Sequence, residues 1–447
     1  MNPEIQTLFD KFEGLEIEII ESKVKQLYIR FADSGISQPT SKDTANLRIR
    51  VISGKKQGIA SINQTDLPSI EAAIIRAKEI AELSSEDPKI LPLNDVHPKF
   101  EPNKGFDEET AKLDDAKHTA QVAKIIEMGK VNNLKVSGNC ISDVLCTAYM
   151  NSKGVSAKDS MTRSFVSTTM QTATSGGWGY QSAWKFDEID AENIAKTAID
   201  KALASQNPVE ISLDELQTLP VILEPAAFAE ILLFLAVCGF SSLPYLEGRS
   251  FVSEKLGEQF FDEKLNISEN AFNPVMSGLP FDFEGVMKQE VRLVEEGKVV
   301  GLAYDRKTAL DAGVENTGHA NPQPDANGPV PKNLVVATGD TSFDDMIAKA
   351  EKAILITKFH YTNLEDFKRA KITGLTRNGT FLVENGKISK PLINMRFTES
   401  LLECFKPGNI LAIGDKAIAS ESFWGGAAFI IPAIMLKSFN FTSFTGF

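Results

Sequence analysis

Residues 46–62 read NLRIRVISGKKQGIASI, and residues 66–80 read DLPSIEAAIIRAKEI. Apolar and polar side chains alternate along residues 46–52, as in a half-buried β-strand, and a Gly-Lys-Lys turn leads to a second short strand. Asp66 can cap the helix that follows, and Pro68 suits its first turn. Apolar residues then recur at helical spacing, at Ile70, Ala73, Ile74, Ala77 and Ile80. The segment therefore predicts antiparallel strands followed by a helix that packs on them.

The same order of elements recurs downstream. A helix predicted over residues 107–129 precedes strands near residues 134–139, 145–151, 154–161, 162–173 and 178–185. A further helix begins at Asp190, and aligning Asp66 with Asp190 superposes the apolar positions of both helices. We interpret this as a weak internal repeat of two strand-strand-strand-helix units, although two unrelated amphipathic helices would align as well.

Beyond residue 210 the sequence favours a strand-rich domain around one apolar helix. Residues 219–223 predict a short strand and residues 225–240 a mostly buried helix. Hairpin signals follow at Glu296-Gly297, Asn378-Gly379 and Asn385-Gly386. Residues 313–331 are rich in proline, glycine and asparagine, which predicts a long irregular loop of the kind that often has a functional role.

These patterns predict an α+β fold with three domains. Two α/β subdomains cover residues 1–103 and 104–210, and the first ends in a proline-rich linker at residues 84–103. Residues 215–447 form the third domain, which we expect to be β-rich and barrel-like with a buried helix.

Charge and composition exclude several classes of protein. The 447 residues carry 47 Lys and Arg against 60 Asp and Glu, a net charge of −13 that disfavours nucleic acid as a partner. The longest apolar run, residues 226–240, is shorter than the ~20 residues of a membrane span. The N-terminus lacks a basic segment before an apolar one, and the four cysteines form no CxxC pair. We therefore expect a cytoplasmic protein that binds neither nucleic acid nor membrane.

Few residues stand in a pattern that suggests catalysis. The four histidines form no HExxH and no paired Cys/His spacing, so no zinc motif of the usual kind is present. His319 lies in NTGHA at the start of the long loop, where it can line a cleft or bind its own backbone. Asp282 and Glu284 are two apart in FDFEG, which suits acid–base chemistry, a cation site or simply a solvated strand end.

Five segments in the C-terminal half resemble the TldD/PmbA family, also called modulators of DNA gyrase. They are GRSFVSEKLGE at residues 248–258, FDFEG at 281–285, TGHA at 317–320, SFDDM at 342–346 and LVENG at 382–386. The resemblance implies a cytoplasmic metallopeptidase system of two related subunits. A TldD-like subunit carries a zinc-binding HExxxH helix, and a TldE/PmbA-like subunit has lost this motif and works as its partner.

The resemblance also implies which residues replace the zinc motif. The HExxxH helix corresponds to residues 231–239, so that Leu233, Phe234 and Cys238 occupy the positions of histidine, glutamate and histidine. The region of a further cysteine ligand falls near Phe423 and Trp424. Leucine and phenylalanine supply neither a ligand nor a water-activating base. The resemblance therefore implies no catalytic residue and no metal or cofactor in this chain, with zinc expected only in the partner.

Three functions stay open at this point. The first is a non-catalytic subunit that pairs with a TldD-like metallopeptidase, forms a homodimer in isolation and helps to bind unfolded peptides. Its candidate peptide-binding residues are Gly318, His319, Asp282 and Glu284. The second is a stand-alone metallopeptidase with dispersed ligands, of which Asp282, Glu284, His319 and Cys238 are the candidates. The third is a regulatory protein that acts on DNA gyrase. The sequence favours the first.

Overall fold

Residues 4–99, 104–421 and 428–445, which the computed structural model describes, fold around two β-sheets. The N-terminal part contains, in chain order, α1 (Glu4–Phe9), β1 (Glu16–Ala32), β2 (Gly35–Ser53), β3 (Lys56–Ile62), α2 (Leu67–Leu83), α3 (Asp115–Val131), β4 (Lys135–Asn151), β5 (Ser156–Gln171), β6 (Gly176–Ala183) and α4 (Ala191–Ala204). The C-terminal part contains α5 (Leu213–Leu216), β7 (Val221–Leu223), α6 (Pro225–Gly239), α7 (Ser242–Leu246), β8 (Ile267–Glu269), β9 (Val291–Glu295), β10 (Lys298–Val299), α8 (Arg306–Ala312), β11 (Leu334–Val336), α9 (Phe343–Ala348), β12 (Lys352–Asp366), β13 (Lys371–Glu384), β14 (Lys387–Pro391), β15 (Met395–Ser400), α10 (Leu401–Cys404), β16 (Ile410–Glu421), β17 (Ala428–Leu436) and β18 (Phe441–Phe444).

The two predicted strand-strand-strand-helix units share one antiparallel sheet. Its order is β3-β2-β1-β4-β5-β6, and the pairing of β1 with β4 joins the units in the middle. The capping aspartates act as predicted, since Asp66 accepts the N–H of Ser69 at 2.9 Å and Asp190 that of Asn193 at 3.0 Å. The two strand-strand-strand-helix units are therefore confirmed, but the five strands predicted in the second unit are three, because residues 135–151 and 156–171 each form one long strand. The domain bounds at residues 103 and 210 stay predictions.

Strand β2 is longer than the sequence indicates. The alternating residues 46–52 form only its second half, and residues 37–44 before them are exposed. These mostly polar residues pair with residues 24–30, in the second half of β1. A ladder held by backbone hydrogen bonds alone leaves no hydrophobic periodicity in the sequence, which explains the difference.

The C-terminal part is built on a mixed sheet of 12 strands, and the α+β class is confirmed. The barrel-like closure that we expected is wrong: the sheet is an open path from β10 to β18, with β14 and β16 attached at its sides. Barrel closure needs a continuous ladder between the first and last strands. Among the described residues β10 pairs with β9 and β18 with β15, and neither end strand reaches the other.

Two of the three predicted hairpins form. Glu296-Gly297 turns β9 into β10, and Asn385-Gly386 turns β13 into β14, with positive φ at all four residues. The prediction at Asn378-Gly379 is wrong, because both residues lie inside β13. They face the single residue Thr357 of β12 and so form a β-bulge, in which Asn378 has a φ of 56°.

Helix α6 is the predicted buried helix. Phe228, Ile231, Leu232 and Leu235 are inaccessible to solvent, and the helix packs on β12 and β17. Each such side chain contributes about 1.5–3 kcal/mol of burial free energy, so the helix is a fixed part of the core. Within the described residues, no helix has the length and apolar character that a membrane crossing requires.

Candidate functional site

A cavity of about 670 Å³ lies between the two parts of the chain, and we call it the aromatic cleft. Its walls come from β5 and β6 of the N-terminal sheet, from the first three turns of α6 and from β12. The side chains that matter most for its chemistry are Phe165, Trp178, Tyr180, Glu230, Leu233, Phe234, Lys358 and Tyr361. A cavity of this size with mostly apolar walls is typical of a binding site.

The sequence Gly177-Trp178-Gly179-Tyr180 places the aromatic rings in the cleft. Side chains alternate along a strand, so the glycines face α4 while the rings face the cavity. A Cβ atom at Gly177 or Gly179 would lie 2.2 Å from a backbone oxygen of α4, and only glycine allows this helix to pack so closely. The rings of Trp178 and Tyr180 stack with centroids 4.4 Å apart, which gives the cleft a rigid aromatic wall.

Two opposite charges are half-buried in this apolar setting. Lys358 Nζ lies 4.3 Å from the centroid of the Trp178 ring, in a cation–π contact. The hydroxyl of Thr362 donates to Glu230 Oε1 at 2.5 Å. Burial raises the pKa of Glu230 and lowers the pKa of Lys358, and the charge of each residue opposes the shift of the other. The pair gives the cleft one cationic and one acidic group.

Strand β12 offers an open edge to the cleft. It pairs with β13 on one side, whereas on the other side the described strands pair with it only at Ile354, Leu355 and Ile356, where β7 runs beside it. Residues 358–363 line the cleft beyond that pairing. Tyr361 has a φ of 54° in a bulge of this strand, and its side chain is 74% exposed. An extended chain can hydrogen-bond to such an edge.

The residues at the expected zinc positions do not fit a zinc ion. Leu233 and Phe234 line the cleft but have no ligand atoms. Cys238 is fully buried, and burial raises the pKa of its thiol to about 12, so that it is not a thiolate at neutral pH. Phe423 and Trp424 lie outside the described residues. Across residues 4–99, 104–421 and 428–445, no three His, Cys, Asp or Glu side chains converge as metal ligands would.

Asp282 and His319 line a second cavity, of about 300 Å³, which we call the charged cavity. It lies between β1, β4 and β5 on one side and loops of the C-terminal part on the other. Asp282 accepts the N–H groups of Glu284 and Val286 at 2.9 Å and that of Ala320 at 3.0 Å. These three bonds hold a carboxylate that is almost completely buried.

Glu284 and Gly318 position the loops around this cavity. Glu284 is also buried and accepts the N–H of Arg306 at 3.1 Å, so the alternative of a solvated strand end is wrong for both acids. Burial and the neighbouring charge of Asp282 raise the pKa of Glu284. Gly318 has a φ of 75°, and a Cβ atom there would lie 2.3 Å from the backbone oxygen of Met287. Its role is to allow this close approach.

His319 is almost completely buried, with 1% of its side chain accessible. Its Nδ1 lies 2.9 Å from Thr317 Oγ1, and its Nε2 lies 3.5 Å from Glu269 Oε1. Glu269 was not predicted from the sequence, and neither was Lys288, which also lines the cavity. Both come from separate segments, and a lone charged residue in a sequence carries no mark of burial. A charged residue is recognisable as buried from sequence only when it stands inside an otherwise apolar stretch.

The geometry defines a two-part α+β architecture with an aromatic cleft between its parts. Comparisons with known families identify the family to which this architecture belongs. The family model described as the PmbA/TldA metallopeptidase matches in three pieces. Its domain 1 covers residues 17–81, its central domain residues 101–206 and its C-terminal domain residues 216–443. The chain belongs to the PmbA/TldD metallopeptidase family, which confirms the resemblance read from the five segments.

Known relatives agree over nearly the whole chain. A protein named metalloprotease PmbA homolog from Haemophilus influenzae is 26% identical over 423 residues, which are 90% of this chain and 88% of the relative. The crystal structure of TldE from Thermococcus kodakarensis is similar with a TM-score of 0.87 at 19% identity, over 98% of this chain and 99% of that one. A structure titled as a putative modulator of a DNA gyrase, from Thermotoga maritima, has a TM-score of 0.85 at 20% identity with the same coverage. Both structures show the fold.

Proposed function

We propose that this chain is a zinc-less, TldE/PmbA-like subunit of a cytoplasmic metallopeptidase complex. In this proposal it holds an extended, unfolded peptide while a TldD-like subunit with an HExxxH helix supplies the zinc. The observation that carries the proposal is the character of the aromatic cleft. Leu233 and Phe234, at the expected metal positions, help to line a cavity that has an aromatic wall and an open strand edge. Such a cavity suits binding rather than hydrolysis.

The cleft has the parts that recognition of an extended peptide requires. The backbone of residues 358–363 can pair with a peptide as an added strand, which gives affinity without selecting a sequence. The rings of Phe165, Trp178 and Tyr180 would take apolar side chains, which unfolded segments expose. The net charge of −13 favours basic or neutral peptides over acidic ones. The surface that pairs with the TldD-like subunit would also pair two copies of this chain when that subunit is absent.

The zinc content of the purified, unchelated chain tests the zinc-less part of the proposal. Elemental mass spectrometry should find far less than one zinc per chain, because Leu233 and Phe234 offer no ligand atoms and Cys238 is buried. Close to one zinc per chain would contradict the proposal. It would favour a stand-alone metallopeptidase with ligands from scattered residues.

Peptide binding tests the role of the aromatic cleft. We expect Trp178→Ala to weaken binding of a fluorescently labelled, unstructured, neutral peptide about tenfold, because buried aromatic contacts dominate such interfaces. Fluorescence anisotropy measures the affinity, and Trp184→Ala is the matched control, since Trp184 lies outside the cleft lining. If the wild type and Trp178→Ala bind the peptide with equal affinity, the cleft does not bind the peptide.

Gly318, His319, Asp282 and Glu284 remain proposed peptide-binding residues. The charged cavity that Asp282 and His319 line adjoins the cleft, because Arg163 of the cavity and Phe165 of the cleft are alternate residues on one face of β5. His319→Ala should therefore slow peptide processing by the assembled complex without unfolding this chain. Unchanged processing would exclude His319 from the site.

A further inference from the structure

The charged cavity gathers positive side chains in a chain whose net charge is −13. Arg163 reaches it from β5, Lys23 from β1, and Lys288 and Lys332 from loops of the C-terminal part. In the lining of this cavity of about 300 Å³ the four cations face one carboxylate, Asp282, and Lys23 also pairs with Glu21 at 3.0 Å. Such a concentration of charge attracts a small anion.

The acids near these cations are held by other groups, and one carboxylate oxygen without a hydrogen-bond partner among the described residues, Glu269 Oε1, lies 3.5 Å from His319 Nε2. Asp282 accepts three backbone N–H groups, as described above. Glu269 accepts the N–H of Asn333 at 2.6 Å and lies beside His319. The two lysines instead contact neutral oxygens: Lys288 Nζ lies 3.4 Å from Asn333 Oδ1, and Lys332 Nζ lies 2.8 Å from Asn321 Oδ1. In the part of the chain that the structure describes, the two lysines have these neutral partners rather than a carboxylate ion pair.

The cations also repel one another. Burial lowers the pKa of Lys332, and the positive charge of Lys288 lowers it further. The pKa of Lys288 is lowered by burial and by Arg163, against the opposing effect of Glu269 and Asp282. His319, whose side chain is almost completely buried at the cavity wall, has no hydrogen-bond partner for Nε2 among the described residues. An anion in the cavity would relieve the repulsion and supply acceptors.

The remaining wall of the cavity is apolar. Leu145, Met161, Leu279, Phe281 and Phe283 contribute to it. An inorganic anion would leave this surface in contact with water, whereas a carboxylate attached to an apolar group would cover it. The cations together with the apolar wall therefore favour an organic acid over phosphate.

We infer that the charged cavity binds a carboxylate that carries an apolar side chain, held by Lys288, Lys332 and Arg163. The ligand has two possible sources, the free C-terminus of a peptide and a free acylated amino acid. The first source rests on the proposed peptide-binding function, because the peptide body would then lie toward Phe165 and the aromatic cleft. The second source stands without it.

Isothermal titration calorimetry on the full chain tests this site with matched probes. N-acetyl-leucine should bind at least about tenfold tighter than N-acetyl-leucinamide, which differs only in lacking the charge, because a charged hydrogen-bonded contact is lost. Lys288→Met should weaken binding of the acid by a similar factor. Lys332→Met serves the same purpose if Lys288→Met does not fold, and Lys196→Met, at an exposed helix position, is the control that should bind as the wild type does.

A hexapeptide ending in leucine, with a free or an amidated C-terminus, separates the two sources. Tighter binding of the hexapeptide with the free C-terminus identifies a peptide as the ligand. Binding of N-acetyl-leucine without any binding of the hexapeptide identifies a free acid as the ligand. This second result contradicts the proposed peptide-binding function but not the carboxylate site. Equal binding of N-acetyl-leucine and its amide would overturn the inference. So would tighter binding of inorganic phosphate, or wild-type affinity in both lysine variants.

Discussion

The aromatic cleft and the charged cavity lie side by side on one face of β5, yet they keep their shapes by opposite means. Stacked rings and the apolar helix α6 hold the cleft open, and only Glu230 and Lys358 bring charge to it. The charged cavity is held by backbone hydrogen bonds to Asp282 and by the contacts of His319. The cleft therefore depends on packing, whereas the cavity depends on polar groups that must all be satisfied.

This difference predicts unequal sensitivity to single substitutions. A packed wall loses contacts in proportion to the atoms removed, and a cavity next to it already contains free volume. A buried polar group cannot be removed in the same gradual way, since its partners are left without an acceptor in a place that water does not fill. Substitutions in the charged cavity should therefore cost more stability than substitutions of equal size in the cleft.

The largest effect should come from Asp282→Ala. Three backbone N–H groups would lose their acceptor at once, and Lys288 would lose a nearby negative charge. We expect the free energy of unfolding to fall by about 3–5 kcal/mol, as for other broken buried charge networks. Urea denaturation measures it, with Asp200→Ala, which breaks only an exposed ion pair to Lys196, as the control. A loss as small as that of the control would show that the three hydrogen bonds do not stabilise the loops.

A smaller effect should distinguish two neighbouring leucines of α6. Leu232 is fully buried in the core, whereas Leu233 lines the aromatic cleft. Leu232→Ala should lower the free energy of unfolding by about 2–5 kcal/mol, because it leaves a closed cavity. Leu233→Ala should lower the free energy of unfolding by less, because it only widens an existing opening. The loss should be at or below about 1.5–3 kcal/mol, the free energy of transferring such a side chain out of water. Equal losses in urea denaturation would mean that Leu233 belongs to the core rather than to the cleft wall.

Short stretches of sequence predicted local features of the fold, but they did not predict how the two cavities are assembled. The helix caps at Asp66 and Asp190, the hairpin at Asn385-Gly386 and the buried helix α6 are local features, so short stretches of sequence sufficed to predict them. The open sheet and the bulge at Asn378 depend on which strands meet, which no local pattern records. The charged cavity depends on the same long-range pairing, because residues from β1, β4, β5 and two loops meet only in the folded chain.

Stability should also depend on pH, through the buried acid Glu284 beside the charged cavity. Burial, together with the charge of Asp282, raises the pKa of Glu284 above its ordinary value near 4.5. The folded chain therefore keeps a proton that the unfolded chain releases above that value, and the contribution of Glu284 to the free energy of unfolding falls as the pH rises. Each unit by which the pKa is raised contributes about 1.4 kcal/mol to this fall.

Glu284→Gln isolates this effect, because glutamine resembles the protonated acid and still accepts the N–H of Arg306. Between about pH 5 and pH 8 the wild type should lose stability in urea denaturation, and the variant should lose clearly less. Glu290→Gln is the control, since Glu290 lies in the same loop but is exposed, and its pH dependence should match that of the wild type. If the stability of Glu284→Gln depends on pH as that of the wild type does, Glu284 is ionised in the folded chain. The backbone donors and cations around the charged cavity must then stabilise two carboxylates together.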